Sequence, residues 1–227
     1  MGDINDRIFI QNQMSDFKGP YLEVGSKDYG NTQDIKSLFS QIEKYVGIDM
    51  EEGSRVDIVL DLTKSMDEID EKLGNIRFGT IFCLSVLEHC EDPFLIANNL
   101  TSLLKPAGQI CLSVPFSLGF HGYPSDYWRF THEGIKKLFP KLSFDLDKAV
   151  AATTRKNDFK KIDKNIGRIP FSSKYYFQRG HLFQGISAKL LKILSRIGFL
   201  RWLVGCKYVM PPTHIYMIGK LNLRKEN

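Results

Sequence analysis

Short apolar runs recur along the first half of the chain, each followed by a polar loop and then by apolar residues at helical spacing. Tyr21-Leu22-Glu23-Val24 ends in Gly25, the polar stretch Ser26 to Gln33 follows, and Ile35, Leu38, Phe39 and Ile42 recur at helical intervals. This predicts strand, glycine turn and helix. Tyr45 to Asp49 and Val56 to Asp61 read as a second and a third strand, each closing on an acid. Phe78 to Leu84 is almost continuously apolar, as a parallel strand covered on both faces must be. A helix is expected from Pro93, which suits a first turn, through Leu95, Ile96, Leu100, Leu103 and Leu104. Lys105-Pro106-Ala107-Gly108 stops it, and Gln109 to Val114 is the fifth strand. A capped helix over Thr131 to Phe139 and strands at Leu142 to Val150 and Thr213 to Leu221 complete the pattern. Strands alternating with helices predict an α/β fold, a doubly wound seven-stranded sheet, mostly parallel with its last strand antiparallel.

A chain of 227 residues can bury roughly 70% of its unfolded surface in one core, so one domain over residues 1–227 is expected. A hydrophobic content of 43% with 25% charged residues excludes wholesale disorder. Met1 to Lys18 lacks the pattern of a signal peptide, and Arg196 and Arg201 break the apolar stretches near the C-terminus, so no leader and no spanning helix are expected. Cys83, Cys90, Cys111 and Cys206 match no zinc spacing. They read as reduced, buried thiols in a cytoplasmic protein, and no metal site is expected.

Candidate chemistry gathers at the predicted strand ends. In Glu23-Val24-Gly25-Ser26-Lys27-Asp28-Tyr29-Gly30, glycine lets the backbone approach a ligand where open α/β sheets bind one. A tight strand-to-helix turn would need the same residues. Asp49, with Met50 beside it, stands where an acid accepts hydrogen bonds from ribose hydroxyls. Asp61 with Leu62 could meet an adenine edge. Each acid alone would more often end a strand or cap a helix; three strand ends in series point to a nucleoside.

These elements, with Leu84-Ser85-Val86-Leu87-Glu88-His89-Cys90-Glu91-Asp92-Pro93 and Leu103-Leu104-Lys105-Pro106-Ala107-Gly108-Gln109, resemble the ordered motifs of class I S-adenosylmethionine-dependent methyltransferases of the type 11 group. The resemblance covers about Tyr21 to Phe139. It implies a Rossmann-like sheet, S-adenosyl-L-methionine as cofactor, methyl transfer as chemistry, and cofactor contacts from Glu23, Gly25, Ser26, Asp49, Met50, Asp61, Leu62 and Ser85. The loop departs from the usual Glu-x-Gly-x-Gly-x-Gly: Lys27 stands where the second glycine is expected, and Gly30 falls one place late.

Ser85 to His89 leaves the fourth strand where the methionine end of the cofactor and an acceptor would meet. His89 is a candidate general base, with a structural role as the alternative. After the fifth strand, His121-Gly122-Tyr123-Pro124-Ser125-Asp126-Tyr127-Trp128-Arg129-Phe130-Thr131 mixes imidazole, carboxylate, guanidinium and aromatic groups, as a pocket with a few convergent polar groups does. Trp128 and Phe130 are expected to be structural. His121, Asp126 and Tyr127 are expected at the chemistry, and Tyr123 and Arg129 at the acceptor.

The charge is unevenly distributed. Ala151 to Met210 holds 13 basic and two acidic residues, a balance of +11, against −6 for the remainder. Ile186, Leu190, Ile193, Ile197, Leu200 and Val204 lie at helical spacing in it, with Phe199 and Trp202 nearby and Lys189, Lys192 and Arg196 off the stripe. This basic, partly helical insertion over residues 151–210 is expected either to cover a core or to act as a lid toward an anionic membrane surface or a phosphorylated acceptor. The combined expectation is O-methylation of a sugar, glycan precursor or other small, phosphate- or lipid-linked acceptor, at the inner membrane surface or free in the cytoplasm. The alternative, methylation or binding of RNA through the basic segment, lacks a recognised RNA-binding module, and nucleic acid is not the expected partner.

Overall fold

Buried apolar runs form strands at Tyr21–Val24, Tyr45–Asp49 and Phe78–Leu84 as expected, while the third expected strand, Val56 to Asp61, is reduced to Ile58–Val59, which is not buried. The register of these strands brings their carboxyl ends together. The computed structural model describes residues 4–30, 33–39, 44–122, 124–198 and 208–222. They fall into two units, Met1–Ile162 with Thr213–Asn227, and Asp163–Pro212.

The first unit opens with helix α1 (Ile4–Asn12), strand β1 (Tyr21–Val24), the short helix α2 (Lys36–Phe39), and strands β2 (Tyr45–Asp49) and β3 (Ile58–Val59). Helix α3 (Met66–Leu73) begins at a capping box, Ser65 Oγ accepting from the Glu68 amide at 3.3 Å, and ends on Gly74 in the left-handed region. Strand β4 (Phe78–Leu84) leads through a 3-10 turn at Leu87–His89 to helix α4 (Pro93–Ser102), capped by Asp92 on the Leu95 amide. Strand β5 (Leu104–Ser117) is longer than the expected core of Gln109 to Val114. Helix α5 (His132–Leu138) starts at the expected cap, Thr131, whose Oγ1 accepts from the Gly134 amide.

The single strand expected over Leu142 to Val150 is two, β6 (Leu142–Phe144) and β7 (Val150–Thr153). A turn intervenes in which the Asp145 carboxylate accepts from the Asp147 amide, an Asx arrangement that breaks extended structure. Strand β8 (Phe159–Lys161) pairs with β7, and β11 (Thr213–Leu221) closes the unit.

The order is β3-β2-β1-β4-β5-β11-β7-β8, with β6 also on β11. β3 through β5 are parallel, and every pairing from β5–β11 onward is antiparallel. The sheet is thus Rossmann-like as expected, but carries nine strands among the described residues instead of seven. The additions are the split of one expected strand and β8, which lies within the segment assigned to the insertion. Val24 lies opposite Ile48 and Cys83, and Asp49 opposite Val59, so the parallel strands end along one edge. An aromatic core including Phe17, Tyr21, Phe39, Tyr45 and Phe82 packs beneath, with Tyr21 and Phe39 centroids 4.6 Å apart.

The second unit starts at Asp163 and ends at Pro212, against the expected insertion over 151–210. It holds strand β9 (Ile169–Pro170), helices α6 (Ser173–Phe177) and α7 (Leu182–Leu194), and strand β10 (Tyr208–Val209), which pairs antiparallel with β9. α6 meets α7 at Gly185, where a Cβ would lie 2.3 Å from the Phe177 ring. Phe183, Ile186, Leu190 and Ile193 of α7 are exposed. The expected continuation to Leu200 and Val204, with Phe199 and Trp202, lies outside the described residues.

Candidate active site

The carboxyl ends of β1, β2, β3 and β4 carry the residues expected to hold a cofactor. Gly25 has φ +72°, and a Cβ there would lie 2.7 Å from Val86 Cγ2, so the turn after β1 sits directly against the exit of β4. A side chain would be strained by the backbone and by the contact alike. Ser26 is fully buried and its Oγ has no hydrogen-bond partner among the described residues. Lys27 pairs with Glu51 at 2.5 Å and Arg55 with Asp28 at 2.5 Å. These two ion pairs join the variant loop to the loop after β2, a task for side chains where a glycine-rich loop would have none.

Asp49 accepts from the Lys27 and Glu51 amides, each at 3.2 Å, and its carboxylate remains partly exposed at the strand tip with Met50 projecting beside it. Asp61 is engaged locally: its Oδ1 accepts from the Thr63 amide at 2.8 Å and from Thr63 Oγ1 at 2.7 Å, the strand-end turn that the sequence left open as an alternative. Leu62 is buried, and its carbonyl accepts from Asn99 Nδ2 at 2.8 Å, a brace from α4 that the sequence did not single out. Ser85 has φ +52°, and its Oγ lies 3.3 Å from Ser113 Oγ.

Glu23 is buried beneath this loop and receives the Tyr45 hydroxyl at 2.7 Å. Burial raises its carboxyl to about 7, with the Tyr45 hydrogen bond working the other way.

The second half of the site forms where the segment after β5 is tied to the 3-10 turn after β4. The Glu88 carbonyl accepts from the Tyr127 amide at 2.8 Å, and Trp128 Nε1 donates to the Cys90 carbonyl at 2.8 Å. These ties bring together His89, His121 and Asp126 around Glu88, whose carboxylate is completely buried. His89 Nε2 lies 3.8 Å and His121 Nε2 3.9 Å from Glu88 Oε1. Glu88 beside it pushes the His121 imidazole upward. Arg129 holds the Asp126 carboxyl well below the usual carboxylate range, with the His121 amide as a further donor.

Arg129 is placed differently from the expected acceptor contact. Its guanidinium forks onto both Asp126 oxygens and also donates to the carbonyls of Leu118, Gly119 and Trp128. All of its donors fasten the loop. The Tyr127 hydroxyl donates to Glu91 at the rim, 3.3 Å away, while Phe130 is buried as expected. Tyr123 lies outside the described residues. Cys90, near Glu88, has its thiol pushed up to about 12 by burial, which leaves it no thiolate near neutral pH.

The fold is that of S-adenosylmethionine-dependent methyltransferases. Among solved structures it is similar to a SAM-dependent methyltransferase from Archaeoglobus fulgidus, with a TM-score of 0.54, 16% identity, and coverage of 94% of this chain and 92% of that one. It is also similar to the 1,6-didemethyltoxoflavin-N1-methyltransferase of Burkholderia thailandensis, solved with 1,6-didemethyltoxoflavin and S-adenosylhomocysteine bound (TM-score 0.52, 13% identity, 96% and 77% coverage). The [4+2]-cyclase SpnF shares the fold as well (TM-score 0.54, 12% identity, 96% and 80% coverage). No protein-family model and no curated protein sequence matches the chain.

Proposed function

We propose that the chain is a methyltransferase that binds S-adenosyl-L-methionine across the ends of β1 to β4 and methylates a hydroxyl of a small or carrier-linked acceptor held under the Pro115–Thr131 segment. The observation that carries this is the alignment of Gly25, Asp49 and Asp61 along one sheet edge, with a histidine–carboxylate cluster beside it on the exit of β4. The cofactor, when bound, supplies an electrophilic methyl group.

The protein's part is alignment and proton removal. His89 Nδ1 lies 2.5 Å from the Ser125 carbonyl, which fixes the proton on that nitrogen and leaves Nε2 with a lone pair. His121 is arranged the same way, with Nδ1 3.0 Å from the Gly119 carbonyl. Either Nε2 can take a hydroxyl proton, and Glu88 stabilises the imidazolium that results.

An amphiphilic, anionic acceptor, such as a lipid- or phosphate-linked glycan precursor at the inner face of a membrane, is favoured over RNA by the second unit. There, exposed Phe183, Ile186 and Leu190 accompany Lys189 and Lys192, and apolar exposure of that kind serves a lipid better than a phosphodiester chain. Among the described residues, no helix is long and apolar enough to cross a membrane.

Calorimetry with S-adenosylmethionine tests the core of the reading. The whole chain should bind it, and Asp49→Ala, folded by circular dichroism, should weaken binding by about 1.5–3 kcal/mol, the scale of a hydrogen bond to a charged group. No binding by the wild type, or equal binding by the variant, refutes the assignment.

A further inference from the structure

We propose that Glu88, His89 and His121 form a site for one divalent ion of the zinc and manganese class. Three observations meet there. The Glu88 carboxylate is fully buried, and neither of its oxygens has a hydrogen-bond partner among the described residues. An unpaired buried carboxylate costs several kcal/mol, a cost that a bound cation removes. Arg129 is the nearby guanidinium, and its fork belongs to Asp126. The two imidazole nitrogens facing Glu88, at 3.8 and 3.9 Å, are too distant for direct hydrogen bonds.

Those two nitrogens are also set up as ligands. Each ring directs Nδ1 at a backbone carbonyl, Ser125 for His89 and Gly119 for His121, whose Nδ1 also lies 3.3 Å from Asp126 Oδ2; in the neutral rings this leaves both Nε2 lone pairs turned toward the carboxylate. A backbone carbonyl on the far nitrogen is the usual support of a metal-bound histidine. The three ligand atoms lie within 4.8 Å of one another. Tetrahedral ligands on bonds of about 2.0–2.2 Å stand roughly 3.3–3.6 Å apart, so binding an ion draws Glu88 Oε1 and the two Nε2 atoms inward from 3.8 and 3.9 Å.

Two imidazoles and one carboxylate suit borderline ions, whereas magnesium and calcium favour oxygen alone. Three protein ligands leave coordination positions open. On the methyltransferase reading, on which this last step rests, an acceptor oxygen would fill one of them, and the ion would then take over from the two coordinated Nε2 atoms the task of making the hydroxyl acidic.

The competing arrangement is an imidazolium of His121 paired with Glu88 and no metal. Cobalt(II), a coloured stand-in, separates the two. Full-length protein stripped by chelator and titrated with cobalt should develop visible d–d bands that saturate at one equivalent, and zinc should abolish them. Glu88→Gln and His121→Gln should each weaken binding at least tenfold. His121 lies on a loop with its side chain 27% exposed, so that variant keeps the test valid should Glu88→Gln fail to fold. Absence of bands in the wild type, or bands unchanged in His121→Gln, overturns the site, the latter marking an adventitious ion elsewhere. Calorimetry with S-adenosylmethionine on the same preparation keeps the readings apart. Cofactor binding without metal sinks only this site, and metal binding without cofactor sinks only the methyltransferase assignment.

Discussion

Tyr45 donates its hydroxyl to Glu23 across 2.7 Å inside the protein, joining the second strand to the first beneath the glycine turn. Burial of this pair raises the Glu23 carboxyl from 4.5 in the unfolded chain to about 7. The folded state therefore holds the proton more tightly. Its contribution is full below about 4.5 and is lost as pH rises through about 7, an effect on the order of 3 kcal/mol. Cofactor-free protein should melt at a lower temperature at pH 8 than at pH 5, and Glu23→Gln, which keeps an acceptor for Tyr45, should flatten that difference. Identical pH profiles for the two proteins would show that Glu23 is ionised throughout.

A second prediction concerns Gly47 in the middle of β2. A Cβ there would lie 2.4 Å from the Arg55 carbonyl and 2.8 Å from Ser26 Oγ, so the strand and both flanking loops depend on the missing side chain. Gly47→Ala should destabilise the fold by about 1–3 kcal/mol, read as a lower urea midpoint. An unchanged midpoint would mean that the loops separate freely.

Arg129 provides a third. Its planar fork on Asp126, at 2.5 and 2.7 Å, cannot be reproduced by an ammonium group, so Arg129→Lys should behave nearly as badly as Arg129→Ala despite keeping the charge. Both should lower turnover while S-adenosylmethionine affinity stays close to wild type, because the loop follows β5 and not the strands assigned to the cofactor. Full activity in the lysine variant would show that charge alone matters.

The parallel strands β1, β2, β4 and β5 were legible because buried apolar runs are local features, whereas β3, with Ile58 half-buried and Val59 exposed, is shorter than its apolar pattern. The helix starts at Pro93 and Thr131 were legible for the same reason. Helix α3 was missed although Ser65 and Glu68 form a capping box: most of its outward positions are charged, and only Ile69 and Leu73 are buried. β6 and β7 were merged because the turn at Asp145 is made by hydrogen bonds from the Asp147 and Lys148 amides, not by a glycine or proline. The cluster around Glu88 lay beyond the sequence for a different reason. His121 reaches it only through the backbone ties of Tyr127 and Trp128 to the turn after β4, and nothing in the spacing encodes such ties. The same ties explain why Arg129, a residue type suited to an acceptor, is engaged in holding the loop.

The last prediction concerns α7, where the charge division of the chain and the exposure of its apolar residues coincide. Phe183, Ile186, Leu190 and Ile193 are 80%, 61%, 54% and 52% exposed, and Lys189 and Lys192 accompany them on the same helix. Surface this apolar on one short helix is unfavourable in water, and an anionic bilayer would match both its apolar and its basic character. Attraction through the lysines is screened over about 8 Å at physiological ionic strength, while the apolar contribution is insensitive to salt. Co-sedimentation with vesicles containing anionic lipid should therefore fall, but not vanish, as salt rises. Replacing Lys189, Lys192 and Arg196 with Gln should remove the salt-sensitive part, and Ile186→Ser with Leu190→Ser should remove the remainder. Binding to anionic vesicles that neither set of changes reduces, or no vesicle binding at low salt, would leave α7 as an ordinary surface helix and remove the main support for a lipid-linked acceptor.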